Sequence, residues 1–441
     1  MQSKVLERSP RPLSVQATGR PAPMREASPD VRPAPTCAVL VERIGPYHFA
    51  RLNALGDCVP TVAIEVCDMD ATYAWNKVSQ GGSFKRLTLS ATAVAQPNER
   101  RTLVRRVRAT LGQVNPAVVF IPGWADACSL AALQWCVETA TPAIVLTASS
   151  AVGRTRAGWR EFIKRRVLRL FSAGVGGGTP QGDYLESLGL ARARIFQGCN
   201  VVDNRHFAEA AGAARQSAAA FRASLQLPEK YFLTICRFIE EKNLPTLLNA
   251  YAQYRQQAGT GAWKLVLLGD GPLKRALLEQ RTGLGLDEHV LMPGFKQYAE
   301  LPPYYGLAGA FVLPSVSETW GLVINEAMAA ELPVLISDHC GCARDLVIPG
   351  RNGFTFAPHD AARLAQLMLQ LAADACDRPA MGRYSRDLIR QWSPESLAAT
   401  LNRAALVVQD APALRTKWID RALLRLLLWQ RVYAGQPAVK E

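Results

Sequence analysis

The stretch Leu313-Pro-Ser-Val-Ser-Glu-Thr-Trp-Gly-Leu-Val-Ile-Asn-Glu-Ala-Met-Ala-Ala-Glu-Leu-Pro-Val-Leu-Ile336 decides how the chain is read. Residues 311–313 and 334–337 are short apolar runs of strand length. Between them, residues 322–332 are rich in Ala, Leu, Met and Glu, a composition that predicts a helix. The order strand, loop, helix, strand is the unit from which parallel sheets are built. Gly321, Leu322 and Val323 bring backbone N–H groups to the start of that helix, where unpaired donors attract anions. Glu318 lies in the loop and Glu326 inside the helix. Carboxylates suit a phosphate poorly, but they accept hydrogen bonds well from sugar hydroxyls attached to one. The segment therefore points to a nucleotide-sugar site.

Outward from it, the same alternation runs twice. Apolar strand-length runs occur at 37–41, 61–66, 118–121 and 144–147, with helical stretches at 99–111 and 129–140. The pattern restarts at 231–235 and continues through 265–268, 290–292, 311–313 and 334–336. Two doubly wound, Rossmann-like α/β domains follow, with ligands expected beyond the carboxyl ends of their strands, in a cleft between them. The expected division is a disordered segment at 1–35, rich in Pro, Arg and Ser, then domains at 36–225 and 226–395. A helical segment at 396–441 should pack back across both.

The chain has 441 residues, 49% of them apolar, which is enough for two ordinary cores. Its net charge of +14 suits anionic partners: a nucleotide donor or an anionic membrane surface. The sequence has no zinc knuckle, RNA-binding aromatic motif or helix-turn-helix signature, so a nucleic-acid partner is not expected. No apolar run reaches the roughly 18–20 residues needed to span a bilayer, and no signal-peptide core is present. The ten cysteines lack metal-ligand spacing, and the reading is reduced thiols in a cytoplasmic protein, with peripheral contact at the inner membrane face as an extension.

The segment around Glu318 and Glu326 resembles the signature of family 4 (group 1) glycosyltransferases, which have the two-domain GT-B architecture. Other blocks occur in the order expected for that family: Val266-Leu-Leu-Gly-Asp-Gly-Pro, Leu291-Met-Pro-Gly-Phe, the stretch 338–341 and Gly350-Arg-Asn-Gly-Phe-Thr-Phe. The match is strong over 231–366 and weaker over 41–207. The resemblance implies a retaining transfer of a sugar from a nucleoside-diphosphate sugar to a hydroxyl of a glycan or lipid-linked acceptor, in bacterial exopolysaccharide or surface glycan assembly. It implies no cofactor and no bound metal. By the same resemblance Arg237 and Lys242 neutralise the donor diphosphate, Glu318 lies nearest the donor sugar, and Glu326 accepts hydrogen bonds from the ribose. Gly321, Leu322 and Val323 are donor contacts, Phe295 lies against the nucleobase, and Gly269 sits in a tight turn that also faces the donor. Gly45 and Tyr47 belong to the loop facing the diphosphate, His48 is a candidate proton acceptor, and Ser149 lies on the acceptor side. Many members of the family carry a His after the strand at 144–147. This chain has Ala148-Ser149-Ser150 there, so the catalytic base is open.

Three further features have competing readings. Asp68-Met69-Asp70 could hold a divalent metal, but it lies away from the donor blocks. Gly174-Val-Gly-Gly-Gly-Thr lacks the last spaced glycine of a dinucleotide fingerprint and reads as flexible packing at a strand end. Residues 160–171 and 414–433 are basic and amphipathic, suited either to anionic headgroups or to a solvated face. Alternatives to a transferase are a nucleotide-sugar 2-epimerase and an inactive relative that binds the donor.

Overall fold

The computed structural model describes residues 35–68, 75–78, 81–91, 97–152, 158–412, 414 and 416–433. The segment expected to be disordered lies, apart from residue 35, outside them, as do Met69 and Asp70. The first sheet contains β1 (Cys37–Val41), β2 (Thr61–Glu65), β3 (Lys85–Thr88), β4 (Val118–Pro122), β5 (Ala143–Thr147), β6 (Ala173–Gly176) and β7 (Ile195–Gln197). The second contains β8 (Tyr231–Ile235), β9 (Lys264–Leu268), β10 (Val290–Gly294), β11 (Ala310–Leu313), β12 (Val334–Ser337) and β13 (Gly353–Phe356). Their spatial orders are β3-β2-β1-β4-β5-β6-β7 and β10-β9-β8-β11-β12-β13, and the pairings are parallel. Each sheet starts at its middle, winds outward one way, and then reverses. The switch points lie between β1 and β4 and between β8 and β11, where such sheets open crevices beyond their strand ends.

Strands β1, β2 and β8 are buried at every residue. Helices cover both faces of these sheets, so the strands read as nearly continuous apolar runs instead of alternating ones. The strands that sequence patterning passes over depart from this rule. Lys-Arg-Leu-Thr of β3 is a charged edge strand, and Ala-Gly-Val-Gly of β6 has two glycines in four residues.

The helix Leu322–Ala329 ends before the expected residue 332. Glu331 adopts a left-handed φ of +62°, its N–H bonds to Met328 O, and Leu332 N–H reaches Ala327 O. This is a Schellman ending with a glutamate in the position glycine usually takes. Arg386 and Arg215 pair with that glutamate.

The closing helices return to the first domain. Helix Pro394–Gln409 packs on helix Pro46–Cys58 and buries Leu397, Leu401 and Val408 in that domain's core. Helix Trp418–Tyr433 packs on the helices Pro97–Val114, Ala127–Thr139 and Gly158–Leu168, with Leu424 inside.

The glycine run after β6 is a domain contact, a correction to its reading as flexible strand-end packing. A Cβ on Gly178 would lie 2.3 Å from Asp345 Oδ2 and 2.6 Å from Trp320, both on the second domain. Thr179 N–H donates to Asp345 at 2.9 Å, and Gln181 donates to Thr319 O at 2.7 Å. Side chains at these glycines would hold the domains apart.

Candidate functional site

The first domain presents its part of the site from the turn after β1. Gly45 precedes helix Pro46–Cys58, and Pro46 suits the first helical position because its missing N–H needs no partner there. Glu65, at the end of β2, is wholly buried and anchors this turn. It accepts from Ile44 N–H at 2.8 Å, from Arg86 Nε and Nη2 at 2.9 and 2.8 Å, and from Thr88 Oγ1 at 2.7 Å. Sequence reasoning missed Glu65. Its one signal is a carboxylate ending an otherwise apolar strand.

Tyr47 leaves the helix's first turn and crosses to the second domain, where its hydroxyl donates to Glu326 Oε1. Tyr305 donates to the other oxygen at 2.6 Å. Glu326 is 0% exposed, and burial pushes its pKa up to about 7 against the opposing effect of the two hydroxyl bonds. Burial, and then the Glu326 charge, raise both tyrosines well above their ordinary value. The expectation was a glutamate facing a ribose. Here both oxygens face tyrosines, because residues 324–329 turn inward under Tyr305. Tyr47 and Tyr305 thus occupy the carboxylate that the resemblance assigned to a ribose.

Glu318 and Lys242 meet. The ammonium, after β8, pairs with the carboxylate, after β11. Burial works against the lysine's charge, but the Glu318 carboxylate, with Cys236 and Cys340 nearby, holds the lysine pKa above its ordinary value. Arg237 is exposed in the same loop as Lys242. Gly321, at φ +100°, makes the bend that begins helix Leu322–Ala329, so the first N–H groups, with Leu322 and Val323 half-buried, lie one turn from Glu318.

Gly269 serves the neighbouring loop. Its φ is +139°, and a Cβ would lie 1.8 Å from Cys236 O, so the glycine lets the turn after β9 press against the loop that carries Arg237. That packing accounts for Gly269 with no donor contact.

Aromatic rings bridge the space between the domains. Trp75 of the first domain makes edge contacts with Phe295 at 5.6 Å, Tyr298 at 6.0 Å and Tyr47 at 6.3 Å. His206 stacks on Tyr298 with ring centres 4.6 Å apart. Tyr298 Oη and His206 Nε2 are buried without a hydrogen-bond partner among the described residues. Sequence reasoning missed Trp75, Tyr298, Tyr305 and His206, because nothing in their local sequence says that they share a cleft.

In the first domain, a cavity of about 460 Å³ opens beyond β1, β4 and β5. His48 and Arg51 line it together with Leu52, Leu55 and Leu103, and Arg51 donates from Nε and Nη2 to Val201 O at 2.9 and 2.6 Å. Ser149 is buried beside it, with its N–H on Thr147 Oγ1 at 3.0 Å, while Thr147 and Ala148 form the wall. Asp68 pairs with Lys77, and its proposed metal partner Asp70 lies outside the described residues.

The family described as glycosyl transferases group 1 matches residues 217–388, which hold Arg237, Lys242, Glu318 and Glu326. That stretch, under half of the chain, is where the likeness to group 1 glycosyltransferases lies. A GDP-mannose-dependent alpha-(1-6)-phosphatidylinositol monomannoside mannosyltransferase of Mycobacterium tuberculosis is 30% identical over 175 residues, 38% of this chain and 45% of the relative. The amylovoran biosynthesis glycosyltransferase AmsK of Erwinia amylovora is 30% identical over 151 residues, 33% of this chain and 36% of AmsK. The chain thus spans less than half the length of the curated relatives it matches. Among solved structures, sucrose-phosphate synthase from Thermosynechococcus elongatus superposes with a TM-score of 0.66 at 18% identity, covering 85% of this chain and 99% of that one. Anabaena HepE, solved with UDP and glucose, superposes at 0.64 and 15% identity over 83% of this chain and 98% of its own. The fold of the two α/β domains is GT-B.

Proposed function

We propose that this protein is a retaining glycosyltransferase that moves a sugar from a nucleoside-diphosphate donor to a hydroxyl of a glycan or lipid-linked acceptor, in surface polysaccharide assembly. The observation that carries the reading is the Lys242–Glu318 pair beside the helix start at Gly321, inside the group 1 domain. In the reaction the acceptor oxygen bonds to the anomeric carbon while the bond from that carbon to the diphosphate breaks. The acceptor's proton passes to the departing diphosphate oxygen. Arg237 and Lys242 stabilise the charge that develops on the diphosphate, which supplies electrostatically what a bound cation supplies elsewhere. The helix N-terminus at Leu322 and Val323 adds backbone donors to the same oxygens. Glu318 then turns from the lysine to the sugar hydroxyls, and Glu326 to the ribose once Tyr47 has moved away. The acceptor enters through the cavity beside His48 and Arg51. The names of AmsK and of the mannosyltransferase support an acceptor in glycan or glycolipid assembly, and HepE's complex with UDP supports a nucleotide donor.

Calorimetry with UDP, GDP, ADP and dTDP in metal-free buffer tests the reading. Tight binding of one nucleotide is expected. Glu318→Ala should lower turnover far more than it weakens nucleoside-diphosphate binding. Equal losses in both would overturn the assignment of Glu318 to the sugar, and binding of no nucleotide would return the reading to an inactive relative.

A further inference from the structure

Two amphipathic segments about 250 residues apart in the chain form one surface, a placement made by the fold. Helix Trp418–Tyr433 lies against helix Gly158–Leu168, and Arg166 Nη1 on one bonds Asp420 Oδ1 on the other at 2.9 Å. Asp420 is buried at this joint, so the pair fixes the two helices side by side.

Their outward faces are apolar where a soluble surface is ordinarily polar. Trp159 and Phe162 are 64% and 59% exposed on the first helix, and Trp418, Leu426 and Trp429 are 78%, 51% and 57% exposed on the second. With Tyr433, the second set recurs at helical spacing along one stripe, while Leu424 on the opposite face is buried in the domain core. Trp and Tyr are the side chains that favour the boundary between hydrocarbon and water.

Basic residues surround this stripe. Helix Pro97–Val114 packs beside Trp418–Tyr433, and the three helices together hold twelve Arg and Lys residues against three acidic ones. Arg101, Arg105, Arg160, Arg165, Arg169, Arg421 and Arg425 are all exposed. Two of the cations lie over the exposed rings: Arg160 over Trp159 at 5.2 Å and Arg166 over Phe162 at 5.4 Å. Interfacial aromatics within a cationic field match an anionic lipid surface, which offers phosphates to the arginines and acyl chains to the rings. Among the described residues, no helix is long and apolar enough to cross a membrane. The chemistry is that of a helix pair lying in the headgroup layer.

We propose that helices Gly158–Leu168 and Trp418–Tyr433 form a single docking face for an anionic lipid bilayer. The inference stands independently of the donor chemistry. The face belongs to the domain that carries the acceptor-side cavity, and Arg100, which lines that cavity, reaches Arg431 O on the docking helix at 3.3 Å. Docking therefore sets the cavity beside the lipid surface.

The test is flotation of the full chain with phosphatidylcholine vesicles, with and without phosphatidylglycerol, at low and high salt. Binding is expected only to the vesicles that contain phosphatidylglycerol, weakening with salt and accompanied by a blue shift of tryptophan fluorescence. The combined variant Trp159→Ser, Phe162→Ser, Trp418→Ser and Trp429→Ser changes exposed positions only and should fold. It should lose the blue shift and bind on the order of tenfold or more weakly, as should Arg160→Glu with Arg165→Glu and Arg169→Glu. Nucleotide binding by calorimetry should not change in either variant, which separates failure of this proposal from failure of the transferase reading. Absence of wild-type flotation at low salt overturns the proposal. So does binding that both variants retain, or a wild-type dimer that the apolar variant dissociates, which would make the face a contact between copies. Capture of RNA in preference to vesicles, lost in the charge variant, would equally overturn it.

Discussion

At the scale of single residues, Glu326 is the group whose surroundings most constrain the chemistry. A wholly buried carboxylate needs both oxygens satisfied, and one of its two donors, Tyr47, comes from the other domain. The contact competes with the ribose hydroxyls assigned to the same carboxylate. Tyr47→Phe leaves one Glu326 oxygen unsatisfied in the closed arrangement, a cost of about 1–3 kcal/mol. Nucleoside diphosphate should then bind several-fold more tightly by calorimetry; weaker binding would mean that Tyr47 is itself a donor contact. The same carboxylate gives a pH dependence of known sign. Its folded pKa of about 7 lies above the ordinary value of 4.5, so the native state holds the proton longer than the unfolded chain. Its contribution to stability is complete below pH 4.5 and is lost as pH rises through 7. In thermal melts across that window, wild-type stability should fall with pH by an increment that Glu326→Gln removes. Identical slopes in both proteins would refute the assignment. The family resemblance of the segment 313–336 singled out Glu326, but the sequence held no sign of Tyr47 and Tyr305, which lie 279 and 21 residues away.

At the scale of elements, the site depends on how turns after strands are held. The turn after β1 hangs on Glu65, which collects four hydrogen bonds. Glu65→Ala would strand the Arg86 guanidinium and the Ile44 N–H, a loss on the order of 3–5 kcal/mol in urea unfolding. A loss under about 1 kcal/mol would show that water replaces the carboxylate. The loop carrying Arg237 and Lys242 depends on Gly269. Gly269→Ala would drive a methyl into Cys236 O and force a left-handed φ on alanine, so it should reduce both stability and nucleotide affinity. Retained affinity with unchanged stability would show that the loop yields. Elements whose burial imposes a simple pattern were legible: the apolar strands β1, β2 and β8 and the helix after Gly321. Strands β3, β6, β7 and β13 were not: β3 is a charged edge strand, β6 is half glycine, and β7 and β13 are edge strands of three and four residues. In each case the tertiary surroundings override propensity.

At the scale of the whole molecule, the C-terminal helices close the first domain, and the Gly176–Gly178 turn lets the second domain approach it. Leu424→Ala should cost about 2–5 kcal/mol of stability, since it empties a site inside the first domain's core from the far end of the chain. Gly178→Ala should leave each core intact and push Trp320 and Asp345 away, loosening the domains. Faster hydrogen exchange at the Thr179 amide would show it, and unchanged exchange there would mean the contact is slack. The sequence by itself determined two α/β domains and the loops that follow their strands, because strand burial, helix composition and turn chemistry are local and repeat along the chain. Only the tertiary structure decided that Tyr47 occupies Glu326, that Lys242 holds Glu318, and that helices at 158 and 418 share one basic aromatic face. Each of these joins residues far apart in the chain, and the packing of the sheets and of the returning C-terminal helices sets which distant side chains meet.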